Sequence, residues 1–195
     1  SQIIRNAHRI HDGLWPELDQ SKDSQFLFIP KENADSVAQA VIRLVQEILP
    51  QQYGLDPLRD VFVLTPSRKG SAGTLSLNQV LQQVLLPSAD KRAGMRSHGR
   101  YFGLGDKVMQ TRNNYDSDVY NGDSGIVSEI DPEEQIVRVR FDDARTVDYA
   151  FTDLDQLALA YAVSVHKSQG SEYPCVVVPL LMSHYLLLER RLIYT

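Results

Sequence analysis

Residues 157–180 read LALAYAVSVHKSQGSEYPCVVVPL, an apolar run, a polar turn and a second apolar run. Unbroken apolar runs of this length suit strands buried on both faces, as a parallel sheet requires. We therefore read 157–165 as a strand returning to such a sheet, HKSQGSE at 166–172 as a polar turn opening a helix, and YPCVVVPL at 173–180 as another buried strand. VFVLTP at 61–66 reads the same way and runs into the loop SRKGSAG at 67–73. The helix after it carries Leu77, Val80, Leu81, Val84 and Leu85 on one face, with Pro87 as terminator. Further upstream, FLFIP at 26–30 reads as a short buried strand. A helix is predicted from Asn33, with Val37, Val41, Leu44, Val45 and Ile48 at helical spacing, ending at Pro50. Residues 1–12 place Ile3, Ile4, Ala7 and Ile10 at the same spacing before a stop at Gly13, and a last helix is expected from near Tyr185. This alternation of strand and helix predicts an α/β layer around a parallel sheet of about five strands.

The pattern changes at Gly105. Up to about Ala150 the chain reads as short alternating strands, DKVMQTR, SGIVSEI, QIVRVRF and RTVDYAF, separated by the turn signals YNGD, DPEE and FDDAR. Antiparallel hairpins in so few residues suit a small SH3-like β-barrel. The expected organisation is a discontinuous α/β lobe, 1–104 and 153–195, interrupted by a barrel at 105–152.

Composition is that of a globular chain: 195 residues, 43% hydrophobic and 23% charged. One cysteine, Cys175, excludes an internal disulfide framework or a Cys-rich zinc site and favours a reducing compartment. The longest apolar stretches are of strand length, far short of the roughly 18–20 residues of a membrane span. SQIIRNAHRIHDG is too charged for a signal peptide. A cytoplasmic protein without membrane partners is expected. Starting without Met inside an apparent helix and stopping within the periodic LLLERRLIYT, the sequence reads as a piece of something larger. The net charge of −5 excludes a nucleic-acid binder that rests on overall basicity and leaves room for a local basic groove.

Ligands of open parallel sheets bind at the carboxyl ends of strands, and two loops lie there. In 65–73, Arg68 and Lys69 can reach a phosphate, while Gly70 and Gly73 let backbone approach it; a basic, glycine-containing loop is equally an ordinary turn. In 166–172, His166, Lys167, Ser168 and Gln169 form a dense set of donors before Gly170, with Glu172 as an acceptor. Such a set serves phosphates or a nucleic-acid backbone, and equally a capped turn with Ser168 or Ser171 as N-cap. A self-contained hydrolase is disfavoured, because Ser168 lacks the G-x-S-x-G elbow and Cys175 sits inside an apolar run. His8, His11, His98, His166 and His184 are too scattered for a metal site, and no metal is expected.

AYAVSVHKSQGSE at 160–172, with VVVPL after it and LLERRLIYT later, resembles motifs V and VI of superfamily 1 helicases in the form of the RecD branch, the exodeoxyribonuclease V alpha subunit. Other pieces match in order. SQIIRNAHRIHDG resembles the segment after motif III, LTPSRKGSAGTLSLNQVLQ resembles motif IV, and GDKVMQTRNNYDSDVYNGDSGIV resembles the entry to that branch's inserted barrel. The resemblance implies a RecA-like, P-loop-NTPase-type second motor lobe with an SH3-like insertion, from an ATP- and magnesium-dependent 5′ to 3′ single-stranded DNA translocase. It implies that Arg68, Gln169, Gly170 and Glu172 face the nucleotide. His166, Lys167 and Ser168, with Arg112, Asn113, Asn114 and Tyr115 of the barrel, would face DNA. Implied partners are single-stranded DNA and the first motor lobe; whether other exodeoxyribonuclease V-like subunits join them is open. The sequence holds no G-x-x-x-x-G-K-[ST], and Arg190 and Arg191 precede the family's motif VI arginine without matching it, so the chain alone should not hydrolyse ATP. A non-catalytic DNA- or protein-interaction module is the alternative, because acidic residues crowd the barrel.

Overall fold

The computed structural model describes residues 1–19, 21, 23–86, 94–97, 99–168 and 172–182. Its elements are α1 (Gln2–His11), α2 (Ala34–Arg43), a π-helical turn (Leu44–Ile48), α3 (Leu49–Tyr53), β1 (Val61–Thr65) and α4 (Thr74–Leu85). They continue with β2 (Gly94–Ser97), β3 (Arg100–Gly103), β4 (Lys107–Gln110), β5 (Ser124–Asp131), β6 (Ile136–Phe141) and β7 (Thr146–Ala150). β8 (Leu157–Leu159), β9 (Ala162–Ser164) and β10 (Cys175–Val177) complete the order.

A three-stranded parallel sheet, ordered β10-β1-β9, forms the α/β lobe. Alternation along β1 gives it two different faces. Val61 and Val63 point to the helices, where they bury with Ala38, Val41, Val45, Leu49, Leu77, Leu81 and Ala162. Phe62 and Leu64 point the other way: Lys107 lies over the Phe62 ring, and Leu64 packs on a cluster of Met109, Ala160 and Val163. The barrel thus covers the sheet face that the helices leave open. Its own five-stranded antiparallel sheet is ordered β7-β6-β5-β4-β8 around Phe102, Val108, Val127, Val137, Val139, Phe141 and Tyr149.

Local chemistry explains the helix starts. Asn33 caps α2 in a reciprocal box, accepting from the Ser36 amide at 2.9 Å while the Ser36 hydroxyl accepts from the Asn33 amide at 3.2 Å. The expected stop at Pro50 is overturned. Pro50 sits in the first turn of α3, and the helix runs on to Gly54, whose φ of 66° ends it. A proline inside a helix removes a donor and crowds the preceding turn. The wider π-helical turn at Leu44–Ile48, immediately before it, relieves both.

Three strand expectations also fail. FLFIP at 26–30 is not a strand, and Leu27, Phe28 and Ile29 are 42–49% exposed. Both edges of β1 are taken by β9 and β10, and Pro30 lacks an amide donor. Residues 157–165 are not one strand. Leu157–Leu159 pairs antiparallel with β4 of the barrel, whereas Ala162–Ser164 pairs parallel with β1. YPCVVVPL shrinks to Cys175–Val177 at the sheet edge. The parallel sheet therefore has three strands among the described residues, where about five were expected. In α1, Ile3 and Ile4 are exposed and Asn6 is buried, exchanging two hydrogen bonds with the Glu17 backbone at 2.7 and 3.0 Å. Pro87, Ser171 and the expected helix from Tyr185 lie outside the described residues.

Candidate nucleic-acid interface

The loops after β1 and β9 meet at one cleft. About 870 Å³ in volume, it lies between the lobe and the barrel. Pro66, Arg68, Thr74 and Asn78 line it from β1, its loop and α4, Ser164 and Lys167 from the end of β9, and Arg96, Arg100 and Tyr101 from β2 and β3. Among the described residues, four cationic side chains, Arg68, Arg96, Arg100 and Lys167, face it, with Asp155 as the one carboxylate, and Asp155 is paired to Arg112 at 3.1 Å. A chain of net charge −5 thus concentrates positive charge in a single groove, the arrangement that attracts a polyanion.

The first loop is built to hold Arg68 out. The Thr65 hydroxyl donates to the Ala72 carbonyl at 2.9 Å, and the amides of Thr74 and Leu75 donate to the carbonyls of Ser67 and Arg68. These bonds use the first amides of α4 inside the loop, so a phosphate here would meet side chains rather than an open helix terminus. Gly73 is required at its place: a Cβ there would come within 2.4 Å of the Lys69 carbonyl oxygen. Gly70, at φ 86°, supplies the turn.

The second loop is a short 3-10 turn, Val165–Ser168. His166 and Lys167 are exposed. Ser168, expected to face DNA, is turned inward, its hydroxyl donating to the Val165 carbonyl at 2.7 Å. Asn78 of α4 holds the strand before it, accepting from the Ala162 amide at 3.0 Å and donating to the Ala162 carbonyl at 2.7 Å. Gln169 and Gly170 lie outside the described residues, and Glu172 is exposed.

The barrel residues reach the same region. Asn113 accepts from the Asn121 amide and donates to the Tyr115 hydroxyl, fixing the loop that carries Tyr115. Tyr115 is 75% exposed and meets Tyr120 edge to face, with centroids 6.0 Å apart. Asn114 ties to Gln156, and Gly122 of the same loop lies against the Lys167 carbonyl. Burial, with help from the nearby Asp123 carboxylate, raises the pKa of Tyr149 beneath this loop, and its hydroxyl donates to Gln110 at 2.8 Å.

Sequence reasoning missed Arg96, Arg100 and Tyr101. The signal was GMRSHGRYFG, a short alternation around His98-Gly99, which reads as a hairpin once the turn is recognised.

Residues 77–141 match the SH3 domain of ATP-dependent RecD-like DNA helicases, and residues 159–195 match the UvrD-like helicase C-terminal domain. Over 99% of its length the chain is 38% identical to the ATP-dependent RecD2 DNA helicase of Deinococcus radiodurans, of which it covers 25%. It is 32% identical over 74% of its length to the RecBCD enzyme subunit RecD of Mycolicibacterium smegmatis, covering 24% of it. The chain spans about a quarter of these relatives. A crystal structure of a Bacteroides Pif1 helicase, in complex with ADP-AlF3 and ssDNA, has the same fold: TM-score 0.56 over 99% of this chain and 46% of that one, at 14% identity. The fold expected from the sequence, a RecA-like α/β lobe with an inserted SH3-like barrel, is the fold found. In two domains and along almost its whole length, the chain matches RecD-like DNA helicase sequence, the family its sequence resembles.

Proposed function

We propose that this chain is the C-terminal motor portion of an ATP-dependent DNA helicase, a 5′ to 3′ single-stranded DNA translocase of the RecD type. Its lobe would comprise 1–104 and 153–195 and its barrel 105–152, with β8 (Leu157–Leu159) adding a strand from beyond that boundary to the barrel's sheet. The observation that carries the reading is the shared cleft. Loops separated by about a hundred residues bring Arg68 and Lys167 to one groove whose lining is cationic in an acidic chain. His166 and Lys167 hold the DNA backbone by charge, and Ser168 shapes the turn that presents them. Arg112, Asn113, Asn114 and Tyr115 meet the strand from the barrel side, where an exposed ring can stack on a base.

The nucleotide fits this chain at one edge only. Arg68 presents a guanidinium suited to a phosphate, and Gln169, Gly170 and Glu172, which follow the DNA-facing turn in sequence, would contribute the rest of this chain's nucleotide contacts. No group of three or more His, Cys, Asp or Glu residues comes together among the described residues to hold magnesium. ATP with magnesium supplies phosphoryl transfer in such motors, and that chemistry needs cradle, metal and arginine together. The first motor lobe is the partner that would bring the cradle. Placing DNA and nucleotide ligands on one short turn lets lobe closure pull on the strand.

The alternative, a protein-binding module without motor function, draws on the acidic residues of the barrel. Several of these are already engaged: Arg145 holds Asp118, Asp123 and Asp143, and Arg138 holds Glu129 and Asp148.

The test is ATP turnover with and without single-stranded DNA, together with oligonucleotide binding across a salt series. We expect no turnover from the chain alone and binding that weakens steeply with salt. DNA-stimulated turnover from pure chain would overturn the dependence on a second lobe. Salt-insensitive or absent binding would favour the protein-contact reading. In the longer helicase, Gln169→Ala is expected to keep ATP use and lose unwinding.

A further inference from the structure

The cleft has a second cationic wall, on the hairpin β2–β3. Arg96 is exposed and lines the groove, and Arg100, also in the lining, is anchored by donating to the Leu157 carbonyl at 2.8 Å, which leaves most of its five donors available. The hairpin makes its register by close approach: Tyr101 lies over Gly94, where a Cβ would come within 2.0 Å of the tyrosine hydroxyl.

What holds this wall is Asp106. Its side chain has no solvent exposure, and among the described residues donors from three parts of the molecule converge on its carboxylate. One oxygen accepts from the Gly103 amide, at the end of the hairpin, at 2.7 Å, and from the Gln82 amide of α4 at 2.6 Å. The other accepts from the Tyr161 hydroxyl, between β8 and β9, at 2.7 Å. Gln82 also donates to the Tyr101 carbonyl at 3.1 Å, so α4 is tied to the hairpin twice. Burial, with the adjoining carboxylate, raises the pKa of Tyr161, which keeps its hydroxyl protonated and donating. α4 starts at the loop that presents Arg68, and Tyr161 lies shortly before the turn that presents Lys167. A single buried carboxylate therefore links the hairpin to the supports of both.

We propose that Arg96 and Arg100 form a second phosphate-contacting wall of the cleft, and that Asp106 is the positioning residue that holds it in the cleft with Arg68 and Lys167. This rests on the reading of the cleft as a single-stranded DNA site. Each phosphate contact contributes about 0.7 to the slope of log affinity against log salt for single strands, so two arginines account for about 1.4.

The experiment is fluorescence anisotropy of the whole chain with a labelled oligothymidylate over a salt series. Arg96→Gln/Arg100→Gln is expected to lower the slope by about 1.4 and weaken binding about tenfold at moderate salt. Asp106→Ala should do the same without touching an arginine. Asp106→Asn, which keeps an acceptor for Gly103 and Gln82, should restore the slope. If Asp106→Ala does not fold, Gln82→Met, which cuts both ties from α4, replaces it. An unchanged slope in the arginine pair overturns the second wall. A full slope in Asp106→Ala or Gln82→Met, or an alanine-like loss in Asp106→Asn, overturns the positioning role. Arg68→Gln/Lys167→Gln separates the two levels: if it lowers the slope while the hairpin pair does not, only this proposal has failed; if it too has no effect, the cleft reading has failed beneath it.

Discussion

The barrel and the parallel-sheet lobe solve the same problem differently. The barrel closes its core with hairpins between neighbours in sequence: β5, β6 and β7 pair in succession, and Val127, Val137, Val139 and Tyr149 bury on one side of them. The lobe assembles β1 with β9 and β10, about a hundred residues away, and one face of its sheet is finished by the barrel's Lys107 and Met109 together with Tyr173 and Ala160. The barrel thus needs the lobe for orientation, whereas the lobe needs the barrel to bury part of its own sheet. Local pairing forms without large loop-closure cost, and distant pairing is stabilised only when the rest is in place.

The strongest way to break this comparison is to empty each core in turn. Leu81, fully buried between α4 and the sheet, is expected to lose about 3 kcal/mol on Leu81→Ala, and Val139→Ala in the barrel about 2 kcal/mol. Denaturant melts give the sizes, and amide exchange gives the asymmetry: Val139→Ala should loosen both bodies, because the lobe loses its cover, whereas Leu81→Ala should leave the β5–β7 amides protected. Equal loosening of both by either change would make them one cooperative unit.

The seam itself offers a pH test. Lys107 is 2% exposed, donates to the Val61 carbonyl at 3.0 Å and lies 3.3 Å over the Phe62 ring, which stacks on Tyr173. Burial drives its pKa down to about 7, against the partial pull of Asp142, Asp56 and Asp60. The folded pKa lies below the ordinary lysine value near 10.4, so between about pH 7 and 10 the unfolded chain binds more protons and stability rises with pH. One proton contributes up to about 1.4 kcal/mol per pH unit in that window. Thermal melts of the wild type should gain on Lys107→Met as pH rises from 7 to 9.5, and parallel curves would show that the lysine does not titrate there. The smallest expected effect is at α2: Asn33→Ala removes one half of the capping box and should cost about 1 kcal/mol, read as a lowered melting temperature with the barrel unaffected.

Legibility followed the same division. The barrel strands could be read because alternation and turn residues are local signals. Asp131 caps the DPEE turn by accepting from the amides of Glu133 and Glu134, and Gln135 and Ala144 take the left-handed conformations that close the two hairpins. The helix start at Asn33 and the two ligand-side loops were equally visible. FLFIP misled because an apolar run carries no information about whether a sheet edge is free for it. Residues 157–165 misled because hydrophobicity is the same whether a strand pairs with the barrel or with the parallel sheet.

The sequence alone determined the alternating α/β order, the antiparallel insertion, the motif V and VI resemblance and the presence of Arg68 and Lys167 in polar loops after strands. These are properties of neighbours in the chain, where periodicity, turn chemistry and spacing act. Only the tertiary structure decided that those two residues share one cleft, that Arg96 and Arg100 line it with them, that Ser168 turns inward, and that Asp106 gathers donors from α4, β3 and the link between β8 and β9. Each of these depends on which distant surfaces pack together, and packing is set by the whole core at once rather than by any single stretch of sequence.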